Sequence, residues 1–249
     1  MRSLADLCSL GGQRAIITGA ATGIGEAVAR RFADAGAELL LIDRDATLLA
    51  LVADALGARS HVADVTDWNM AEQVAAAIDA DILVNCAGLY PSGPLLDLDE
   101  AHWDRLLDVN LKATMRMTQA VGRGMVDRGR GSIVNIASVQ AFRPTAGKAA
   151  YAASKAGVIA LTQVSAIELA PAVRVNAVTP GPIMTDAVKA AVARAGGSAP
   201  LTARRISQVP LGRLGEPDEV ARVVQFLASP AAAFVTGAAW TIDGGALLG

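Results

Sequence analysis

The chain has 249 residues, of which 53% are hydrophobic, 18% charged and 4% aromatic, with a formal net charge of −2. A disordered polymer would be polar and highly charged, so that class is excluded, and so is an overall field that would draw in nucleic acid or an anionic membrane. Area scaling has a chain of this length bury about 70% of its unfolded surface, enough for one sizeable core in a single domain over residues 1–249.

In chain order, β-branched runs predict strands at Arg14–Thr18, Glu38–Asp43, Ser60–Ala63, Ile82–Asn85, Ser132–Ile136, Arg174–Val178 and Trp240–Ile242. Several are apolar throughout, as in a parallel sheet covered on both faces. Helical periodicity predicts Ile24–Ala35, Ala46–Leu56, Trp68–Ala77, Trp103–Val126, Tyr151–Leu169 and Asp218–Ala228 between them. Strand and helix alternating in this way imply right-handed crossovers and a doubly wound α/β fold: a seven-stranded parallel sheet with helices on both faces. The stretch Ala195–Pro200, between a helical pattern from Met184 and the turn region Pro210–Gly215, reads as part of a substrate flap at about 186–208, because too little chain follows for a second domain.

No run approaches about 18 consecutive apolar residues, so no transmembrane helix is expected. Arg2 is followed almost at once by Asp6 and Gly11-Gly12, which leaves no room for the apolar core of a signal peptide. Only Cys8 and Cys86 are present, so a disulfide framework is not expected and a reducing, cytoplasmic compartment is. His61 and His102 lie at element ends and no cluster has ligand spacing, so no metal is expected. The Arg123–Arg130 run is interrupted by Asp127 and reads as a solvated helix end rather than a nucleic-acid patch.

The first strand runs into Thr18-Gly19-Ala20-Ala21-Thr22-Gly23-Ile24-Gly25. Glycines 19, 23 and 25 suit a tight turn, a close approach of backbone to a pyrophosphate and packing of helix on strand, and the helix N-terminus offers free N–H groups to phosphate. Asp43 follows 18 residues after Gly25, at the end of the second strand. An acid there accepts the hydroxyl hydrogens of an adenosine ribose and repels a 2′-phosphate, which favours NAD over NADP. Arg44 next door can stack on adenine or welcome that phosphate, so NADP stays open as the second choice.

Together with Asp64-Val65, Asn85-Cys86-Ala87-Gly88, Asn110, Ser138, Tyr151-Ala152-Ala153-Ser154-Lys155, Pro180-Gly181-Pro182-Ile183-Met184-Thr185 and Asp243-Gly244-Gly245, this turn resembles the short-chain dehydrogenase/reductase family, the branch of about 250 residues with one Rossmann domain. The resemblance spans nearly the whole chain. It implies cofactor contacts at Gly19, Thr22, Gly23, Ile24, Gly25, Asp43 and Arg44. Asp64 and Val65 then lie at the adenine ring, Asn85, Ala87 and Gly88 along the cofactor, and Pro180, Gly181, Ile183 and Thr185 at the nicotinamide carboxamide. Lys155 would hydrogen-bond the nicotinamide ribose with Tyr151 beside it, and Asn110 would hold a water of a proton relay. A homotetramer is also implied, with the Trp103–Val126 and Tyr151–Leu169 helices and the Phe234–Gly249 tail at interfaces. Cys86 stands where the family more often has a second Asn; with no His partner it reads as a packing residue.

The side chains support that chemistry directly. Tyr151 and Lys155 are four apart on a helical segment and share a face. An ammonium about 4 Å from the phenol, at an effective dielectric of about 20, favours the phenolate by roughly 4 kcal/mol, enough to bring a group that titrates near 10 toward neutrality. Ser138, thirteen residues upstream, can hold the substrate oxygen while Tyr151 moves the proton. The expected function is hydride transfer between NAD(H) and a secondary alcohol or ketone, with a small-molecule partner bound by Ser138, Gln140 and Tyr151. Tyr90, Phe142, Arg143 and Lys148 are further pocket candidates. Gln140 and Arg143 suit a polyol or sugar. Arg143, Lys148, Arg204 and Arg205 suit an anionic carrier, as in an NADPH-dependent 3-oxoacyl thioester reductase. A nucleotide-binding redox sensor or a methyltransferase would also use the glycine turn, but neither needs the Ser, Tyr and Lys set.

Overall fold

The computed structural model describes residues 3–194 and 206–248. Seven short strands make the centre: β1 (Arg14–Thr18), β2 (Glu38–Asp43), β3 (Arg59–Val62), β4 (Ile82–Asn85), β5 (Gly131–Ile136), β6 (Val173–Pro180) and β7 (Ala239–Ile242). They form one sheet in the order β3-β2-β1-β4-β5-β6-β7, with every neighbouring pair parallel. Strand alternation divides the core into two layers. Ala15, Ile17, Leu39, Leu41 and Val84 face α2 (Gly23–Asp34), α3 (Ala46–Leu56) and the Pro217–Ala228 helix, whose Phe32, Leu49 and Val224 complete that layer. Ile16, Leu40, Leu83 and Ile133 face the other way, against Met70 and Val74 of α4 (Met70–Ala77) and Met117 and Met125 of α6 (Ala113–Asp127). α7 (Ala149–Glu168) packs on that second face too, through Ala166. The chain order reverses between β1 and β4, and a crevice opens there beyond the carboxyl ends of the strands.

The differences from the predicted elements are local. A short α1 (Leu4–Cys8) precedes β1, closed by a capping box in which Ser3 and Asp6 exchange hydrogen bonds. The single helix expected over Trp103–Val126 begins earlier and is interrupted: α5 (Glu100–Leu107) passes through a π-helical turn, Asp108–Lys112, into α6. The buried positions Leu106, Val109, Ala113 and Met117 keep a spacing of three or four through this turn, so periodicity does not reveal it. Asp99 caps α5 and pairs with His102, and Asp45 caps α3 through the Leu48 N–H.

Of the expected flap, α8 (Asp186–Arg194) and residues 206–208 are described; Ala195–Pro200, Arg204 and Arg205 lie outside the described residues. The two ends of the flap meet at its base, where Met184 N–H donates to the Gly215 carbonyl at 2.8 Å and Gly215 N–H donates to the Pro182 carbonyl at 3.0 Å. α9 (Pro217–Ala228) follows. Among the described residues no helix is long and apolar enough to cross a membrane.

Candidate active site

The crevice at the β1–β4 switch is a cleft of about 620 Å³. Its Asp43 end is shaped by backbone. A Cβ at Gly25 would stand 1.9 Å from the Gly19 carbonyl oxygen, and one at Gly19, where φ is +69°, would stand 2.7 Å from Ala87 Cα. Thr22 caps α2 without a side-chain hydrogen bond, so the first-turn N–H groups of the helix remain to meet an anion. Asp43 is held in place: its carboxylate accepts from the N–H of Ala21 at 3.1 Å and of Asp45 at 3.0 Å. Asp64 turns its carboxylate to Thr66, whose N–H holds it below the ordinary carboxylate range; Arg44 and Arg105 add to this by charge.

At the other end β5 delivers Ser138, and the first turns of α7 deliver Tyr151 and Lys155. The Ser138 hydroxyl oxygen accepts from the Gln140 N–H at 3.2 Å, and the side chain hydrogen-bonds Tyr151. Burial pushes the Tyr151 phenol above its ordinary value; the Ser138 hydrogen bond works against that and charge on Tyr90 works with it. The expected ammonium-to-phenol contact takes another form. Lys155 Nζ donates to the Ile136 carbonyl at 2.7 Å and lies 5.9 Å from the centroid of the Tyr151 ring. Burial lowers the Lys155 ammonium to about 8. In the protein's own field, therefore, desolvation outweighs the attraction that the four-residue spacing suggested.

Lining the cleft are Gly19, Thr22, Gly23, Ile24, Gly25, Asp43, Arg44, Asp64, Val65, Ala87 and Gly88, then Ser138, Gln140, Tyr151, Lys155, Pro180, Gly181, Ile183 and Thr185. Asn85 does not. It is buried on the α6 side, where Nδ2 donates to Asn135 Oδ1 at 2.9 Å and Thr118 Oγ1 at 3.2 Å. Asn135 in turn donates to Thr162 Oγ1 of α7 at 2.9 Å. Asn85 thus ties the sheet to the helix that carries Tyr151, and it is not among the residues lining the cleft, where the resemblance implies a cofactor contact. Asn110 sits in the π-helical turn behind the wall. Its side chain clasps the Leu89 backbone and donates to Ser154 Oγ at 3.1 Å, and Ser154 donates to the Tyr151 carbonyl at 2.8 Å.

Tyr90 and Lys148 join the lining, whereas Phe142 and Arg143 do not; Phe142 is exposed, and Arg143 reaches the Ala246 carbonyl at 3.1 Å. The family model described as enoyl-(acyl carrier protein) reductase matches residues 19–246. The chain belongs to the short-chain dehydrogenase/reductase family. As a member it is an oxidoreductase acting on CH–OH or carbonyl groups with NAD(P). It is 40% identical to the 3-oxoacyl-[acyl-carrier-protein] reductase of Thermotoga maritima, over 96% of this chain and 99% of the relative. It is 41% identical to the galactitol 2-dehydrogenase (L-tagatose-forming) of Cereibacter sphaeroides, over 95% of each. A solved structure from Beutenbergia cavernae, with bound NADP at low occupancy, superposes with a TM-score of 0.89 at 36% identity, covering 98% of this chain and all of that one.

Sequence reasoning missed several residues of this family member's cleft, among them Leu89, Val109 and Val188. All three are apolar and carry no chemical signature. Cys86, expected as a packing residue, also lines the wall, and burial pushes its thiol up to about 12, which keeps it protonated.

Proposed function

We propose that this enzyme oxidises a secondary alcohol in a polyol, sugar or related hydroxy compound, using NAD. The observation that carries this reading is one continuous cleft with Asp43 at one end and Ser138, Tyr151 and Lys155 at the other. The cradle at Gly19 and Gly25, which a Cβ would fill, fits a dinucleotide pyrophosphate. The anchored Asp43 carboxylate fits a free ribose better than a phosphorylated one. Gly19, Thr22–Gly25, Asp43, Arg44, Asp64, Val65, Ala87, Gly88, Pro180, Gly181, Ile183 and Thr185 would hold the cofactor.

When bound, the oxidised nicotinamide supplies a hydride acceptor and a positive charge. Tyr151 takes the proton of the substrate hydroxyl, and in the reverse direction returns it. Ser138 donates a hydrogen bond to the same substrate oxygen and aligns it with the phenol. Lys155 stabilises the phenolate and holds the cofactor ribose. Asn110 would hold a water of the proton relay. Because burial raises the phenol, deprotonation near neutral pH depends on added positive charge beside it.

The likeness to a galactitol dehydrogenase supports a polyol, as does the half-polar lining of Gln140, Thr145 and Tyr90. A second reading, reduction of a 3-oxoacyl thioester with NADPH, draws on Arg44 at the cofactor end and on the Thermotoga relative. Steady-state assays of galactitol and of acetoacetyl-CoA, each with both cofactors, decide between them. NAD-dependent oxidation of galactitol is expected. Turnover confined to NADPH and the thioester would replace this reading with the second.

We further propose a homotetramer in the cytoplasm. Val164 and Ile167 on α7 and Phe234, Trp240 and Leu248 toward the end of the chain expose apolar surface that subunit contacts would cover. Cys8 and Cys86 are free thiols, which suits a reducing compartment. Light scattering that gives a monomer at micromolar concentration would remove the tetramer.

A further inference from the structure

The connection from β4 to α5 runs over the surface, with residues 90–97 exposed. Its first turn is nonetheless fastened from three sides. Leu89 N–H donates to Asn110 Oδ1 at 2.7 Å, and the Leu89 carbonyl accepts from Asn110 Nδ2 at 2.9 Å. The Lys148 ammonium donates to the carbonyls of Tyr90 at 2.8 Å and Pro91 at 3.2 Å. Gly93 N–H donates to the Gly147 carbonyl at 3.1 Å. Surface loops are ordinarily the mobile part of a fold, so fastening on this scale fixes the position of what the loop carries.

What it carries into the cleft is Tyr90. The chain has two tyrosines, and both line the same cavity. The fastener touches both: Lys148 Nζ lies 5.6 Å from the centroid of the Tyr151 ring while it grips the Tyr90 carbonyl. The two phenols are within electrostatic reach, since charge on Tyr90 raises Tyr151. A phenol both donates and accepts, so it suits a hydroxyl in either role. Gln140 is more constrained, because its Oε1 already accepts from Thr145 N–H at 2.9 Å and Oγ1 at 3.1 Å.

We propose that Tyr90 is a substrate-positioning residue: held beside Tyr151 by Lys148, its phenol hydrogen-bonds a second hydroxyl of the substrate, next to the carbinol that reacts. The preferred substrates are then vicinal hydroxy compounds. A monohydric alcohol leaves the phenol unpaired against the ligand, and a site built for a hydroxyl discriminates against the analogue that lacks it. This inference rests on the acid/base assignment of Tyr151 above.

The test is the ratio of kcat/KM for 2,3-butanediol to that for 2-butanol, measured with NAD; the two alcohols differ by one hydroxyl. In Tyr90→Phe the ratio falls by about fivefold to tenfold, through the KM of the diol. Lys148→Met lowers the ratio in the same sense, and Lys148→Arg, which keeps a donor, recovers most of it. An unchanged ratio in Tyr90→Phe, with Tyr151→Phe inactive toward both alcohols, overturns the positioning role and leaves the acid/base reading intact. Retained turnover in Tyr151→Phe overturns the acid/base reading itself.

Discussion

The Asp43 end of the cleft is shaped by main chain, and the Tyr151 end by side chains that hold one another. At the first, Gly25 faces the Gly19 carbonyl with no space for a methyl, and the Asp43 carboxylate is aimed by two backbone N–H groups. At the second, Asn110, Ser154, Asn85, Asn135 and Thr162 link β4 and β5 to the helix that bears Tyr151 and Lys155. The first arrangement is steric: it has no slack, and one added atom breaks it. The second consists of hydrogen bonds within a low-dielectric interior, which a lost partner damages more than an added atom does.

The largest expected effect is at the chemistry. Tyr151→Phe should lower turnover by about 10²–10⁴-fold, the usual worth of a general acid/base, while isothermal titration still shows NAD binding. Loss of NAD binding in that variant would mean that the two ends of the cleft are not separable. Next is Gly25→Ala, whose Cβ collides with the Gly19 carbonyl. Overpacking of this kind costs about 1–3 kcal/mol or more, so NAD affinity should fall by about tenfold to a hundredfold or the fold should weaken by a similar amount. Gly57→Ala is the control: φ is +60° but nothing stands within 4 Å, and a loss of about 1 kcal/mol in Tm-derived stability is expected.

Asn135→Leu sharpens the other side of the comparison. It strips partners from Asn85 Nδ2 and Thr162, which should cost about 1–3 kcal/mol in denaturant unfolding. The smallest effect is a pH slope. Lys155 titrates near 8 in the folded chain, against 10.5 as its ordinary value. The folded state therefore binds fewer protons between those limits. Stability from this group grows as pH rises through that window, and is lost as pH falls through 8. Cys86 and Tyr151, both raised, act in the opposite sense from about pH 9 upward. Between pH 8 and 9 wild type should thus gain on Lys155→Met by at most about 1.4 kcal/mol, read as a shift of its Tm relative to the variant's; a constant gap would count against a buried, depressed lysine.

The strands were legible to within a few residues because a doubly buried strand leaves an apolar run that needs no partner to be seen. The Asn85 orientation was also within reach. Ile82 and Val84 face the α2 side and Leu83 the α6 side, so parity alone sends Asn85 toward α6. The family motif hid this, because it implied a cofactor contact for the turn as a whole. The break between α5 and α6 was not legible, since Leu106, Val109, Ala113 and Met117 keep helical spacing across the π-helical turn.

The family resemblance is what grouped Ser138, Tyr151 and Lys155; local pattern by itself determined the order of strands and helices and the glycine turn with its acid. Each of these is written in residues close together in the chain, where dihedral preference and periodicity act. The tertiary structure alone decided that Lys155 spends a hydrogen bond on the Ile136 carbonyl, that Lys148 grips Tyr90, and that burial lifts the Tyr151 phenol. Those outcomes join residues far apart in sequence, and which partner wins depends on depth and desolvation, quantities that exist only once the chain has packed.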